Sequence, residues 1–327
     1  MPHYAIRHIT RFTYASPVSE SLMEVRMQPR SEGVQRCVRF ELGIAPRGRV
    51  LGYRDYLGNS IHHFDVPARH AALTVTARAH VQIDQLPPLP AALPDSAWDA
   101  VDRWAATGEH FDFRHPSRFA AWTDSMLEYL RGLGASGERA HDPLTTVRQV
   151  MAAIFTDFEY VPKSTRVDSP IDEALLARKG VCQDFAHIMI AMVRHLGLPA
   201  RYVSGYIARH TATEREGLVA SATHAWAEVL FPEVGWVGFD PTNNTEASTR
   251  HIRVAVGRDY ADVPPTRGVF KGNATSQLSV SVDVKPAEAP AALEPMLPDP
   301  QWATEDLSPP PDTELDKHLQ AQQQQQQ

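Results

Sequence analysis

The sequence predicts an α+β protein, with an N-terminal antiparallel β-sandwich followed by a domain in which helices pack on an antiparallel sheet. Three observations predict it. Alternating apolar and polar residues, many of them β-branched, fill the first 85 residues. The proline cluster Leu86-Pro87-Pro88-Leu89-Pro90 then ends that pattern, and residues 182–243 carry apolar residues at helical spacing followed by short strand patterns around a turn. Period-two alternation buries one face of a strand, whereas recurrence every three or four residues marks one buried face of a helix. At 327 residues, with 43% hydrophobic and 22% charged, the chain is long enough for two domains and can bury a core in each.

Residues 1–86 form the expected sandwich module. Strand alternation runs through Tyr4–Tyr14, Cys37–Leu42 and Leu73–Ile83, and Gly58-Asn59 supplies a turn between Tyr53–Tyr56 and Ile61–Phe64. The proline cluster marks the boundary because proline cannot donate to a strand ladder. Helices are expected next: one opened by Asp95-Ser96, one from Ser117 to about Leu133, and one from Asp142 to about Asp157, where Asp142 caps and Pro143 fits the first turn. The second domain is expected over residues 91–286 and ends on a strand at Gln277–Val284.

Residues 287–327 hold seven prolines, many alanines and a terminal glutamine run, a composition that cannot bury enough apolar area to offset chain entropy, so disorder is expected there. Eight acidic residues against Lys317 alone place the whole net charge of −7 in this tail and leave residues 1–286 neutral. A neutral body argues against nonspecific nucleic-acid binding, which needs a basic excess. The first residues lack an apolar signal core, and no stretch approaches the ~18 apolar residues of a membrane span. A cytoplasmic protein without a membrane partner is the resulting expectation.

The chemistry concentrates in Arg178-Lys179-Gly180-Val181-Cys182-Gln183-Asp184-Phe185-Ala186-His187. Phe185, Ile188, Met189, Met192, Val193 and Leu196 follow at the spacing of one buried helix face, and Gly197-Leu198-Pro199 stops the helix. Cys182, one of only two cysteines, with Cys37, therefore opens a core helix. Unpaired N–H groups and the positive end of the helix dipole favour a thiolate there, and only the thiolate attacks. The same N–H groups can hold a developing oxyanion. A small buried hydrophobe is the alternative role for such a cysteine.

Downstream, Ala200–Ile207 reads as a strand. Two further strand patterns, His224–Phe231 and Gly235–Asn243, flank Pro232-Glu233-Val234 as a hairpin. His224 and Asp240 are an even separation apart. In a hairpin centred near Pro232 they face one another on the same side of the sheet. A carboxylate fixes the tautomer of an imidazole, whose other nitrogen can then pair with a thiolate. Cys182, His224 and Asp240 thus supply a nucleophile, a base and an orienter.

Four blocks in order, Gly180–His187, Gly197–Tyr206, His224–Glu228 and Gly235–Asn243, resemble the bacterial branch of the transglutaminase-like superfamily. The resemblance covers residues 150–286, and the leading β region looks like the N-terminal module of that branch. It implies a papain-like core, with Cys182 as nucleophile, His224 as base and Asp240 as its partner, acting on a peptide or protein substrate. Family members include glutamine cross-linkers, peptidases, amidases and inactive forms. Hydrolysis of a peptide, isopeptide or glutamine-type amide through a thioester is expected, with acyl transfer to an amine as the alternative. A noncatalytic binding module is the reading from a different class.

Other candidates are Tyr160, whose hydroxyl or ring can border the oxyanion site or simply pack; Gln183, which offers a backbone N–H beside the nucleophile; and Trp226, which by strand parity points with His224 and either walls the acyl site or fills the core. Asp259 and Tyr260 lie in Gly257–Pro265, a segment that resembles one following the catalytic aspartate in this branch, and either bind substrate polar groups or belong to a turn held by an Arg–Asp pair. Although there are fifteen histidines, no Cys-x-x-Cys or His-Glu-x-x-His spacing occurs. No metal or cofactor is expected.

Overall fold

The computed structural model describes residues 1–134, 139–208 and 223–289. Its first part is a pair of antiparallel sheets built from β1 (His3–Val18), β2 (Glu20–Val25), β3 (Gln35–Ala45), β4 (Val50–Arg54), β5 (Ser60–Val66) and β6 (His70–Ile83). Leu73, Val75 and Ala77 of β6 meet Val25, Phe64 and Val66 in a dry core between them, as the alternation predicts. The β4–β5 turn uses Gly58 at φ 76°, a conformation that costs glycine nothing.

Chain order does not decide which strands build the sandwich. β14 (Thr266–Lys271) pairs with β2, and β15 (Ser276–Ala287) pairs with β1, from His3 opposite Ala287 to Tyr14 opposite Ser276. The two four-stranded sheets run β15-β1-β6-β3 and β14-β2-β5-β4. The strand expected at Gln277–Val284 therefore closes the N-terminal module, and the chain leaves that module and returns to it. Of the acidic segment expected to be disordered, residues 290–327 lie outside the described residues.

Between these excursions lie α1 (Ala97–Thr107), α2 (Phe111–Arg114), α3 (Asp124–Gly132), α4 (Pro143–Asp157), β7 (Glu159–Tyr160), α5 (Ile171–Ala177), β8 (Lys179–Gly180), α6 (Cys182–His195), β9 (Ala200–Ile207), β10 (Thr223–Phe231), β11 (Gly235–Asp240), β12 (Thr245–Glu246) and β13 (His251–Gly257). α4 starts as expected: the Asp142 carboxylate accepts from the N–H groups of Leu144 and Thr145. The helix expected from Ser117 begins only at Asp124. Backbone groups of the preceding stretch are committed to tertiary hydrogen bonds instead, His115 O to Arg194 and Phe119 N–H to Asp259, and Thr123 caps the helix that follows.

β9, β10, β11, β12 and β13 form one five-stranded sheet in the order β12-β11-β10-β9-β13. α6 lies against β10 and β9 with α3, α4 and α5 over it, so it is buried on nearly every side. Phe185, Ile188, Met189, Met192 and Val193 each gain about 1.5–3 kcal/mol from that burial. The far end of α6 is fixed by Arg194, which is buried and donates to the carbonyls of Ala200, His115 and Arg258 and to Ser117 Oγ. Among the described residues no helix is long and apolar enough to cross a membrane.

Candidate active site

The start of α6 is built to hold its first residue still. Cys182 is the first helical position. Two residues on, the Asp184 carboxylate reaches back to accept from Val181 N–H at 2.8 Å and from the Thr165 hydroxyl at 2.6 Å. That is half of a capping box, and it ties the nucleophile's turn to the 161–170 loop. Burial raises the Asp184 pKa even with both donors in place. Gly180 precedes this turn where a Cβ would come within 3.0 Å of the Asp184 and Phe185 side chains. Its pairing with Tyr160 in the parallel β7–β8 ladder brings that tyrosine to the helix start.

His224 and Asp240 meet as the sequence suggests, though by a different register. Phe231 pairs with Gly235 and Ala227 with Phe239, so the hairpin is centred on Glu233, which takes φ 64°. Extending that ladder puts Asp240 opposite Trp226 and leaves His224 diagonal to Asp240 on the same face. The expected centre at Pro232 is thus corrected by one residue and the expected pairing by two, because Pro232–Val234 forms a three-residue turn. The diagonal still brings His224 Nε2 to 2.7 Å from Asp240 Oδ2.

Nδ1, on the opposite edge of the imidazole, has no nitrogen or oxygen partner among the described residues. Burial is the largest single influence on His224 and disfavours its charge. The Asp240 charge and hydrogen bond, joined by the hydrogen bond and charge of Cys182, outweigh burial and raise its pKa to about 10. Asp240 is likewise disfavoured by burial, but His224 and His251 hold it well below the usual carboxylate range. The three groups are 1%, 1% and 0% exposed.

The family match follows the same division of the chain. The model described as the transglutaminase-like superfamily matches residues 132–241, and that of the bacterial transglutaminase-like N-terminal region matches residues 4–82. An uncharacterised protein of Mycobacterium tuberculosis is 38% identical over 312 residues, covering 88% of this chain and 94% of its own. The chain belongs to the transglutaminase-like superfamily. A Mycobacterium leprae protein, also uncharacterised, is 31% identical over 85% of this chain and 96% of its own. The structure of a candidate cysteine protease from Cytophaga hutchinsonii superposes with a TM-score of 0.66 at 20% identity, over 89% of this chain and 92% of that one, a likeness of fold.

In this transglutaminase-like protein the remaining candidates divide. Tyr160 lies beside the sulfur: burial, then the charges of Cys182 and Asp184, push its hydroxyl well above the ordinary range. Tyr202 of β9 is moved in the same direction by burial first and Cys182 next, and is a neighbour of the thiol that sequence reasoning missed. The Gln183 side chain is turned away, donating to Val167 O at 2.9 Å. Trp226 has the parity expected, but it is buried between Gly205 and Gly238, where a Cβ would come within 2.5 Å and 3.3 Å of the indole, and it packs on Val203 and Val256. It backs His224 at a ring separation of 6.1 Å.

Asp259 is buried. Its two oxygens accept from Phe119 N–H and Ala261 N–H, each at 2.8 Å. The neighbouring Arg258–Asp262 pair holds the turn. Tyr260 is packed edge-on to Tyr202, its N–H donates to His187 Nε2 at 3.2 Å, and burial raises its hydroxyl to about 12.

The second residue missed is His251 on β13, whose Nε2 lies 3.2 Å from the same Asp240 oxygen. His224, Asp240 and His251 bring three ligand atoms within 4.8 Å of one another. The donor pattern does not suit a cation. Ser248 N–H donates to His251 Nδ1 at 3.0 Å, which leaves the ring proton on Nε2, the nitrogen that would have to offer a lone pair.

Proposed function

We propose that this protein hydrolyses a peptide, isopeptide or glutamine-type amide through a thioester on Cys182. The observation that carries the reading is the buried His224–Asp240 pair at 2.7 Å, which keeps an imidazole charged beside a cysteine at a helix start. In the first step the Cys182 thiolate attacks the carbonyl carbon. The C–N bond breaks as the His224 imidazolium passes its proton to the departing amine or ammonia. In the second, His224 takes a proton from water, the hydroxide adds to the thioester, and the C–S bond breaks to release the acid and restore the thiolate–imidazolium pair. The unpaired N–H groups of the first turn of α6 are suited to the oxyanion of both steps.

A second reading has one specific support. A Pseudomonas aeruginosa protein named protein-glutamine gamma-glutamyltransferase is 35% identical over 83 residues, 25% of this chain and 12% of its own. In that reading an amine replaces water in the second step. Incubation with a glutamine-containing peptide and a labelled primary amine, followed by intact-mass analysis, separates the possibilities. Hydrolysis predicts a transient acyl adduct on Cys182 and release of ammonia and free acid. Amine incorporation exceeding free acid establishes transfer, and no adduct under any condition overturns both.

A further inference from the structure

Asp240 Oδ2 accepts from three side chains: His224 Nε2, His251 Nε2 and Asn243 Nδ2, the last at 2.6 Å. Oδ1 accepts from Thr242 N–H at 3.0 Å and Asn243 N–H at 3.3 Å. The Thr242 and Asn243 donors belong to the turn that follows Asp240, so they fix the carboxylate relative to its own strand and nothing else. His251 is different. It comes from β13, the edge strand on the far side of β9, and is the one donor besides His224 among the described residues that ties this carboxylate to the rest of the sheet. Its direction is set, because the Ser248 N–H on Nδ1 makes Nε2–H a donor in the neutral ring. Burial, then the charges of His224 and Arg250, work against protonation of that ring while Asp240 works for it, and the balance lies below the usual histidine value.

The strand that carries His251 is itself held from outside the sheet. β13 has β9 on one side only, and its pairing is interrupted by a bulge between Arg253 and Ala255. Its open edge meets the N-terminal sandwich, where two primary amides copy a strand's hydrogen bonding. Gln35 Nε2 donates to Arg253 O and its Oε1 accepts from Arg253 N–H, both at 2.8 Å. Asn59 Nδ2 donates to Val256 O and its Oδ1 accepts from Val256 N–H, again both at 2.8 Å. Asn59 is fully buried, and Arg30 donates to its amide oxygen at 2.7 Å. A surface edge strand would satisfy these groups with water. Here Arg253, at the bulge, and Val256, just beyond it, each have both backbone groups answered by one side chain of the module.

We propose that His251 is the positioning residue of Asp240, and that the N-terminal sandwich holds it in place by clamping strand β13 through Gln35 and Asn59. The sandwich thereby contributes to the chemistry without lending a residue that touches substrate. This rests on the reading of Cys182, His224 and Asp240 given above: if Asp240 orients the imidazole, whatever aims Asp240 sets how well the imidazole supports the thiolate.

The test uses the full chain and iodoacetamide as the probe. The alkylation rate of Cys182 is followed by peptide mass spectrometry from pH 5 to 9, with thermal unfolding to establish that each variant is folded. His251→Ala is expected to slow alkylation at pH 6 about tenfold, a typical loss for a partner that orients a functional group. His251→Phe keeps a ring against Trp226 without a donor and is expected to behave alike, which keeps the test open should the alanine variant fail to fold. His251→Gln retains an N–H donor and is expected to recover to within about threefold of the parent. The Gln35→Ala/Asn59→Ala double variant is expected to slow alkylation at pH 6 by about threefold, since the strand stays paired on its β9 side.

A parental profile in a folded donorless variant overturns the role of His251, as does a glutamine variant as slow as the phenylalanine one, since a restored N–H donor would then restore nothing. A parental profile in the folded double variant overturns the role of the sandwich. A parent protein in which Cys182 has no enhanced reactivity near pH 6 is a separate failure, that of the underlying reading, and it takes the proposal with it.

Discussion

The sandwich and the helix–sheet domain each bury one cysteine, and the two surroundings differ in what lies beside the sulfur. Cys37 of the sandwich sits where its sheet packs against Tyr206, Ile252 and Val254 of the second domain, at 5% exposure, with the Arg39 carbonyl 3.5 Å from its sulfur, and burial pushes its thiol up to about 12. Cys182 is buried as deeply, at 1%, but it opens a helix beside an imidazole that Asp240 keeps charged. Burial alone therefore makes a thiol inert. Burial against a pre-charged partner removes water from the site while keeping the counter-ion, and it is the carboxylate behind the imidazole that allows the imidazole to stay ionised with almost no solvent contact.

Removing the sulfur is expected to have the largest effect. Cys182→Ala should abolish acyl-enzyme formation, read by intact mass, while leaving the fold in place, because an alanine fits the same core position. His224→Ala should lower turnover by about 1,000-fold, the scale of a lost general base, with no gain on adding a good leaving group if the same histidine also charges the thiolate.

Asp240→Asn should cost less, about 10- to 100-fold, since an amide can orient an imidazole in papain-like triads but does not favour its charged form. The pH dependence sharpens this. His224 has a folded pKa of about 10 against an ordinary 6.5, so the stability it contributes is fully present below about 6.5 and is lost as pH rises through about 10. Asp240 is depressed, so its contribution persists until pH falls well below the carboxylate range. The alkaline limb of turnover should accordingly lie near pH 10 in the parent and move down in Asp240→Asn, and the stability gap between the two should narrow between pH 6.5 and 10 in denaturant titrations. An unmoved limb would show that Asp240 does not charge the imidazole. The smallest effect belongs to the other cysteine: Cys37→Ala should leave turnover unchanged and cost about 1–2 kcal/mol of stability from the space left between the sandwich and the second domain.

Local pattern predicted local structure well. The apolar spacing after Cys182, the Asp142 cap and the Gly58 turn each appear where the residues place them, because each depends on neighbours a few positions away. Parity put His224 and Asp240 on one face, and that survived the two-residue error in pairing because a shift by an even number keeps the side. Long-range pairing is different in kind. Nothing within β14 or β15 says that they complete sheets begun 250 residues earlier, since an edge strand accepts any partner of suitable pattern. His251 was missed for a related reason: a histidine at the head of an Ile-Arg-Val-Ala-Val-Gly run carries a strand signal, but its meeting with Asp240 depends on strand order. Trp226 had the parity expected, but parity left two roles open, and the slot that Gly205 and Gly238 make for its ring is a long-range feature that composition alone does not reveal.

The most direct test sets the two cysteines against each other in one molecule. Limiting iodoacetamide is added to the native parent protein at pH 6, and the fraction of Cys182 and Cys37 alkylated is read from their peptides. Fast labelling is expected at Cys182, abolished by His224→Ala, with Cys37 untouched until the protein unfolds. Equal, slow labelling of both, or fast labelling of Cys182 that persists without His224, would contradict this.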